Sequence, residues 1–468
     1  MTPITAAALE EPVERLAQKL QRERPRMLGL LADNGPDWLI ADLAAERAGI
    51  PLVPLPAFFT RQQGAHVVAL TGMDALIADS PQAALALGFR QGGDWFVRDA
   101  GPVALPAGTA KITFTSGTTG TPKGVCLGAG QQQALAEALV AATGKLALAR
   151  HLCLLPLAVL LENVAGARAA LLAGAACLLA PLKEVGVGGA TEFDPVACLT
   201  ALERAQAHSA ILLPQMLLAL TLALEAGAPR PAQLRFAAVG GAKVSPALIE
   251  RARAAGLPAY EGYGLSECAS VVALNLPGAD KPGSVGKPLA HARVKIAPDG
   301  EIAVAGSVFL GYLGDPEKVA QWIGTGDLGR LDAEGFLHID GRRKHLLITS
   351  FGRNVAPEWP EAELTAGGAL AQAAVFGEAR ARLCAVVVPR RPQASDAEID
   401  AEVRRANARL PDYAQVAFWV RAAAPFSTAD GSATPNGRVR RDAVWSRYGE
   451  RLESRYASLS GAPAHAVL

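Results

Sequence analysis

The residues with the clearest chemical potential lie between Thr113 and Gly124, which read T-F-T-S-G-T-T-G-T-P-K-G. Six of these twelve residues are Thr or Ser, three are Gly and one is Lys. Such a loop can wrap an anion. Glycine permits close backbone approach and positive φ, the hydroxyls donate hydrogen bonds, and Lys123 adds a point charge. A nucleotide phosphate is the expected occupant. The P-loop pattern is excluded, because it needs Gly directly before Lys and Ser or Thr after it, whereas Pro122 precedes Lys123 and Gly124 follows. A flexible polar linker fits less well, since the loop is set between Ile112 and Phe114 on one side and the strand-like Val125-Cys126-Leu127 on the other.

Three further clusters carry related chemistry: Tyr260 to Glu267 (Y-E-G-Y-G-L-S-E), Gly324 to Leu328 (G-T-G-D-L) and Asp340 to Asn354 (D-G-R-R-K-H-L-L-I-T-S-F-G-R-N). A carboxylate such as Glu267 beside a hydroxyl suits Mg²⁺, which prefers hard oxygen ligands. Asp327, in a Gly-flanked turn, suits a ribose diol, because one carboxylate accepts from both hydroxyls. Each also has a plain structural reading: Glu267 as a helix-terminal charge, Asp327 as a turn residue, Arg342 as half of a surface ion pair.

The elements that must position these residues alternate between strand and helix. A helix is expected from about Pro12 to Gln21, and a buried strand from Met27 to Ala32. The turn Asn34-Gly35-Pro36-Asp37 opens a helix marked by Leu39, Leu43 and Ala44, Gly49 stops it, and Ile50 to Leu55 returns to strand. The pattern recurs in a helix from Gln131 to near Gly144, a strand from His151 to Leu155, a helix opened by Asp194-Pro195, a strand from Ser209 to Leu213, and a helix from Ser245-Pro246 to Gly256. Alternation of this kind predicts an open α/β sheet with ligands at the carboxyl ends of strands, where Thr113 to Gly124 falls. From Val285 to Gly341 short strands and turns predict a β-rich subdomain. Beyond Leu346 the pattern is α+β, with strands at Ala373 to Phe376, Leu383 to Val388 and Val416 to Val420. Ser395 and Glu398 form a capping box for a helix reaching Leu410, and a charged helix follows Arg440. A domain boundary is expected near Lys344.

At 468 residues the chain exceeds what one core usually supports. Half of it is hydrophobic, which fits a globular protein, and 45 basic against 44 acidic residues argue against a nucleic-acid partner. The longest apolar run, Ala169 to Leu182, is interrupted by Gly174 and is too short to cross a bilayer, so a buried strand-helix junction is expected and an integral membrane segment is not. Glu10 and Glu11 precede any long apolar run, so no signal pattern is read and a cytoplasmic location is the default expectation. The six cysteines, at 126, 153, 177, 198, 268 and 384, lack C-x-x-C spacing and read as buried thiols.

Together and in this order, the clusters resemble the adenylate-forming (AMP-binding) superfamily of acyl-CoA synthetases, peptide-synthetase adenylation domains and luciferases. The resemblance runs from the Asn34 turn to the G-R-V-R-R segment near Arg440. It implies a large multi-subdomain N-terminal α/β domain over 1–343, including the β-rich subdomain, and a small α+β C-terminal lid over 344–468 that rotates about a hinge at Lys344. It further implies that Thr115, Ser116, Gly117, Thr118, Thr119, Gly120 and Lys123 hold the phosphates of ATP and that Glu267 holds Mg²⁺. Tyr263 would stack on adenine, Gly240, Gly241 and Ala242 would form another wall, Gly264 and Ser266 would flank the adenosine, and Asp327 and Arg342 would hold the ribose. The chemistry implied is attack of a carboxylate on the α-phosphorus of ATP, followed by attack of a thiol on the acyl-adenylate.

The sequence departs from the family pattern at two places. Arg438, in T-P-N-G-R-V-R-R, stands where relatives usually carry the lysine that reaches the site during adenylation. Arginine keeps the charge but is planar and bulkier. Arg438 is expected either to replace that lysine catalytically or to be a solvated charge beside Arg440 and Arg441. Val159 stands where relatives often carry His near the substrate carboxylate, and a core strand is the expected setting for it. Val355-Ala356-Pro357-Glu358 through Glu361, and Pro156-Leu157-Ala158 with Glu162, look like the fatty-acyl branch. No acid to meet a substrate ammonium occurs from Phe236 to Gly241.

The function expected is therefore ATP- and Mg²⁺-dependent activation of a fatty or other apolar carboxylic acid and its transfer to CoA. Alternatives are transfer to the phosphopantetheine of an acyl carrier protein, a non-thiol second step such as ring closure, and a degenerate nucleotide-binding scaffold. The run Arg438, Arg440, Arg441 and Arg447 hints at a basic surface for an acidic carrier.

Overall fold

The computed structural model describes residues 1–115, 123–188, 192–315, 319–434 and 437–460. The chain forms two compact units. The first comprises Met1–Gly241, Arg251–Thr325 and Arg330–His338, and the second Ala242–Glu250, Gly326–Gly329 and Ile339–Leu468.

The first unit holds two eight-stranded sheets. In one, Ala176–Leu179, Arg150–Leu152, Ser209–Leu212, Phe236–Val239 and Ala259–Leu265 lie side by side and parallel, and Ser270–Leu274 turns back antiparallel on the last. In the other, Ala75–Ala78, Leu28–Leu31, Leu52–Pro54 and Lys111–Thr115 are parallel neighbours, and Lys123–Leu127 returns antiparallel beside Lys111–Thr115. Parallel strands need crossover helices on their faces, which explains the alternation in the sequence. Helices Ala6–Glu23 and Pro36–Ala48 contribute Leu9, Val13, Leu20, Trp38 and Ala44 to one buried cluster that also takes Leu28, Leu30, Cys153 and Cys177 from strands or strand ends of both sheets. Each large apolar side chain enclosed in this way contributes about 1.5–3 kcal/mol.

The first helix begins at Ala6 rather than near Pro12. Thr5 caps it, its hydroxyl accepting from the Ala8 N–H, and Pro12 lies inside a helix whose Leu9, Val13, Ala17 and Leu20 are buried. The run from Ala169 to Leu182 is the junction expected, as helix Ala169–Leu172 followed by strand Ala176–Leu179.

The β-rich stretch supplies more than its own sheet. Ala292–Ile296, Glu301–Gly306, Ile323–Leu331 and Leu337–Arg342 form a four-stranded sheet. Gly311–Tyr312 instead adds an edge strand to Lys123–Leu127, with Gly311 opposite Cys126 and Tyr312 opposite Val125. In the second unit, Leu370–Phe376, Leu383–Pro389 and Val416–Arg421 form a three-stranded sheet with helices Glu358–Ala366, Asp396–Asn407 and Arg441–Ser460. The Ser395–Glu398 capping box is present. All six cysteines are buried thiols, and among the described residues no helix is long and apolar enough to cross a membrane.

Candidate active site

The chain enters the loop from Lys111–Thr115 and leaves it into Lys123–Leu127, with Thr115 directly opposite Lys123 in the antiparallel register. Ser116, Gly117, Thr118, Thr119 and Gly120 lie outside the described residues. Lys123 is exposed, and its Nζ lies 5.2 Å from the centroid of the Tyr312 ring, within cation–π range. The Tyr312 hydroxyl donates to Glu267 Oε1 at 2.9 Å. Burial and the adjacent Glu267 carboxylate push the Tyr312 phenol well above its ordinary value, so it stays a donor at neutral pH. One tyrosine thus touches both the expected phosphate lysine and the expected metal carboxylate.

Glu267 lies in the short 3₁₀ turn Ser266–Cys268, and its carbonyl accepts from the Phe309 N–H at 2.7 Å. Ala269 and Ser270 immediately follow with φ of 60° and 134°. Consecutive non-glycine residues in that region store strain, which persists only where the surroundings over-determine the backbone. The half-buried Glu267 carboxylate is a hard oxygen donor, and Tyr312 engages only one of its two oxygens. This donor set fits Mg²⁺.

Gly240 and Gly241 follow strand Phe236–Val239 at its carboxyl end, and the Gly240 N–H donates to Leu212 O of the next parallel strand at 3.1 Å. Gly241 has φ +89°, and a Cβ at Gly240 would stand 3.7 Å from Gly262 O, so the two glycine-bearing segments meet. Tyr263 follows on the adjacent strand Ala259–Leu265, with a break in register between Tyr263 and Gly264. A Cβ at Gly264 would fall 1.5 Å from Ser270 O, so only glycine fits that crossing. The first unit therefore brings Gly240, Gly241, Tyr263, Gly264, Ser266, Glu267 and Lys123 onto strand ends and the turn that follows them. Ala242 is exposed and is the first residue assigned to the second unit.

In the second unit Asp327 is 4% exposed, and the Arg342 Nε–H donates to its Oδ1 at 2.7 Å. Arg342 is thus an ion-pair residue whose partner is the other ribose candidate. Lys344 is exposed in the turn Arg343–His345. Arg438 is exposed. Its N–H donates to Thr434 Oγ1 at 3.0 Å and its carbonyl accepts from the Thr434 N–H at 2.8 Å.

Two expectations need correction. Val159 is not in a core strand. It lies in the turn before helix Leu161–Arg168, half-buried, with its N–H on Pro156 O and its carbonyl accepting from Glu162 and Asn163. Arg441 and Arg447 are not free surface charges. Arg441 is held by Glu358 at 3.1 Å and Glu361 at 2.5 Å, and Arg447 by Asp430 at 2.6 Å.

Other polar anchors have partners that no local pattern pointed to. Asn34 donates to Leu155 O and accepts from the Leu157 N–H, both at 2.8 Å, while the fully buried Glu162 accepts from the Leu154 and Leu155 N–H groups. His151 bridges Glu162 and Ser209. The wall from Leu154 to Val159 is thereby clamped from two elements. Behind strand Lys111–Thr115, Lys111 is buried against Asp42 at 2.8 Å, and Asn163 bonds both. Burial alone would raise the Asp42 carboxyl, but the Lys111 ammonium and the Arg168 guanidinium outweigh it and hold it below its ordinary range.

Residues 2–313 match the AMP-binding enzyme family and residues 344–460 its C-terminal domain. The chain is 34% identical over 252 residues to a long-chain-fatty-acid–CoA ligase of Mycobacterium bovis, a match spanning 47% of this chain and 42% of that protein, less than half of either. It is 30% identical over 407 residues to a feruloyl-CoA synthase of an Amycolatopsis species, covering 80% of this chain and 81% of that protein. The structure of the anthranilate CoA ligase AuaEII in complex with anthranoyl-AMP has the same fold, with a TM-score of 0.78 at 18% identity over 94% of this chain and 91% of that one.

Proposed function

The chain belongs to the AMP-binding enzyme family, and on that premise we propose that it is an acid–thiol ligase activating an apolar carboxylic acid as its acyl-adenylate. The observation that carries the proposal is the contact of Lys123 and Glu267 with one tyrosine at the mouth of the Thr115–Lys123 loop. A cation and a metal-competent carboxylate on one side chain suit a polyphosphate.

In this reading Thr115, Ser116, Gly117, Thr118, Thr119, Gly120 and Lys123 hold the ATP phosphates. Gly240, Gly241, Ala242, Tyr263, Gly264 and Ser266 form the adenosine pocket, and Asp327 with Arg342 holds the ribose. A carboxylate oxygen of the acid attacks the α-phosphorus, the bond to pyrophosphate breaks, and Lys123 offsets charge on the leaving group. When bound at Glu267, Mg²⁺ would neutralise phosphate charge. A thiol sulfur then attacks the acyl carbon, the acyl–oxygen bond breaks, and AMP leaves. Arg438 serves the first step in the place of the usual lysine. Residues 1–343 form the catalytic body and 344–468 a lid hinged at Lys344, a division supported by the C-terminal family match beginning at that residue.

CoA is the acceptor proposed, in keeping with the acceptors named for the relatives. The carrier-protein alternative loses ground, because Arg441 is enclosed against Glu361 and Arg447 is paired with Asp430 at the surface. The reaction is assigned to the cytoplasm, where ATP and CoA are supplied. Incubation with ATP, Mg²⁺, a panel of aliphatic, aryl and hydroxy acids, and either CoA or a phosphopantetheinylated carrier tests the proposal by mass spectrometry. An acyl-CoA product with matching AMP release is expected. A product formed only on the carrier, or adenylate consumed without any thioester, contradicts the choice of acceptor.

A further inference from the structure

Tyr312 was singled out by no motif, yet the segment containing it holds Glu267 twice. The Phe309 N–H donates to the Glu267 carbonyl at 2.7 Å, and the Tyr312 hydroxyl donates to its carboxylate at 2.9 Å. The same segment is fixed to the strand leaving the loop: Leu310 N–H donates to Cys126 O and Leu313 N–H to Gly124 O, with Tyr312 opposite Val125 between them. The Tyr312 ring packs edge-on against Phe309 at 4.8 Å and lies under Lys123. The strained backbone at Ala269 and Ser270, one residue beyond Glu267, is what such a double hold can maintain.

Resting on the function proposed above, we propose that Tyr312 is a positioning residue that orients the Glu267 carboxylate toward a divalent cation at a fixed distance from Lys123. The hydroxyl occupies Oε1 and so fixes the direction in which the other carboxylate oxygen can serve as a ligand. A hydrogen bond to a ligating carboxylate sets its orientation and basicity, and removing such a partner typically weakens cation binding about 10- to 100-fold.

Tyr312→Phe isolates the hydroxyl, since phenylalanine keeps the ring under Lys123 and against Phe309. Calorimetric titration of the full chain with α,β-methylene-ATP, with and without Mg²⁺, reads the cation without turnover. The Mg²⁺-dependent gain in nucleotide affinity is expected to fall about tenfold in Tyr312→Phe while metal-free nucleotide binding is unchanged. The double variant Tyr312→Phe/Glu267→Gln is expected to bind no more weakly than Glu267→Gln alone, because the hydroxyl acts through that carboxylate. A Tyr312→Phe protein with the wild-type Mg²⁺ gain, or penalties that add in the double variant, overturns the proposal, even if its melting temperature falls. A wild-type chain that binds no nucleotide contradicts the proposed function itself.

Discussion

Arg342 donates its Nε–H to Asp327 Oδ1 at 2.7 Å, so the two side chains expected to hold a ribose are paired with each other. The pairing orients the carboxylate and keeps Asp327, only 4% exposed, from standing as an isolated charge. Asp327→Asn is expected to raise the KM for ATP about 10- to 150-fold, as a charge-assisted hydrogen bond of about 1.5–3 kcal/mol would require, while the KM for the acid stays unchanged. The variant is also expected to lose discrimination between ATP and its 3′-deoxy analogue. An unchanged ATP KM would remove Asp327 from the ribose site.

Arg438 and Thr434 exchange two hydrogen bonds at the base of the turn carrying the arginine. Arg438→Ala is expected to lower carboxylate-dependent pyrophosphate exchange about 100-fold, on the scale of deleting one charge-stabilising group, while leaving thioester formation from supplied acyl-adenylate intact. Equal losses in both steps would point to damaged folding, and no loss in exchange would return Arg438 to the solvated surface.

Glu361 and Glu358 share Arg441 in the second unit, and His345, next to the proposed hinge, bonds Glu358 at 2.6 Å. Burial pushes the Glu361 carboxyl up to about 7 despite Arg441, with Glu358 adding repulsion. Burial alone would also raise Glu358, but the His345 hydrogen bond and Arg441 outweigh it and hold its carboxyl at about 2. The native state therefore binds a proton at Glu361 more tightly than the unfolded chain does. The stability this gives is complete below the ordinary value of 4.5 and is lost as pH rises through about 7. Thermal melting from pH 5 to 8 is expected to show Glu361→Gln gaining on wild type as pH rises. A constant difference would mean that Glu361 does not titrate between pH 5 and 8.

Lys111 and Asp42, both almost fully buried, pair at 2.8 Å beneath the strand that enters the loop. Asp42→Ala leaves the lysine uncompensated and is expected to cost about 3–5 kcal/mol in urea unfolding, whereas Asp42→Leu with Lys111→Met is expected to be much milder. A mild effect of the single change would show that water reaches the pair.

The strand-helix alternation and the helix caps at Asp194 and Ser395 were legible because they depend on neighbours a few residues apart. So were the strands on either side of the loop after Thr115, because apolar residues bracket it at Ile112 and Phe114 and at Val125 to Leu127. Tyr312 and the Asn34 clamp were not legible. Their partners lie 45 and more than 120 positions away, and nothing local distinguishes Tyr312 from any strand tyrosine. Pro12 misled as a helix start because Thr5 caps the helix and buried side chains on either side of the proline sustain it. Val159 misled because the apolar run from Leu152 continues past the end of its strand into a turn.

The central claim is that this chain forms an acyl-adenylate, and isotope exchange from labelled pyrophosphate into ATP tests it most directly. Exchange is expected to require both Mg²⁺ and a carboxylic acid, to proceed without any thiol, and to fall at least 100-fold in Glu267→Gln. Exchange absent with every acid, or present without one, would contradict it.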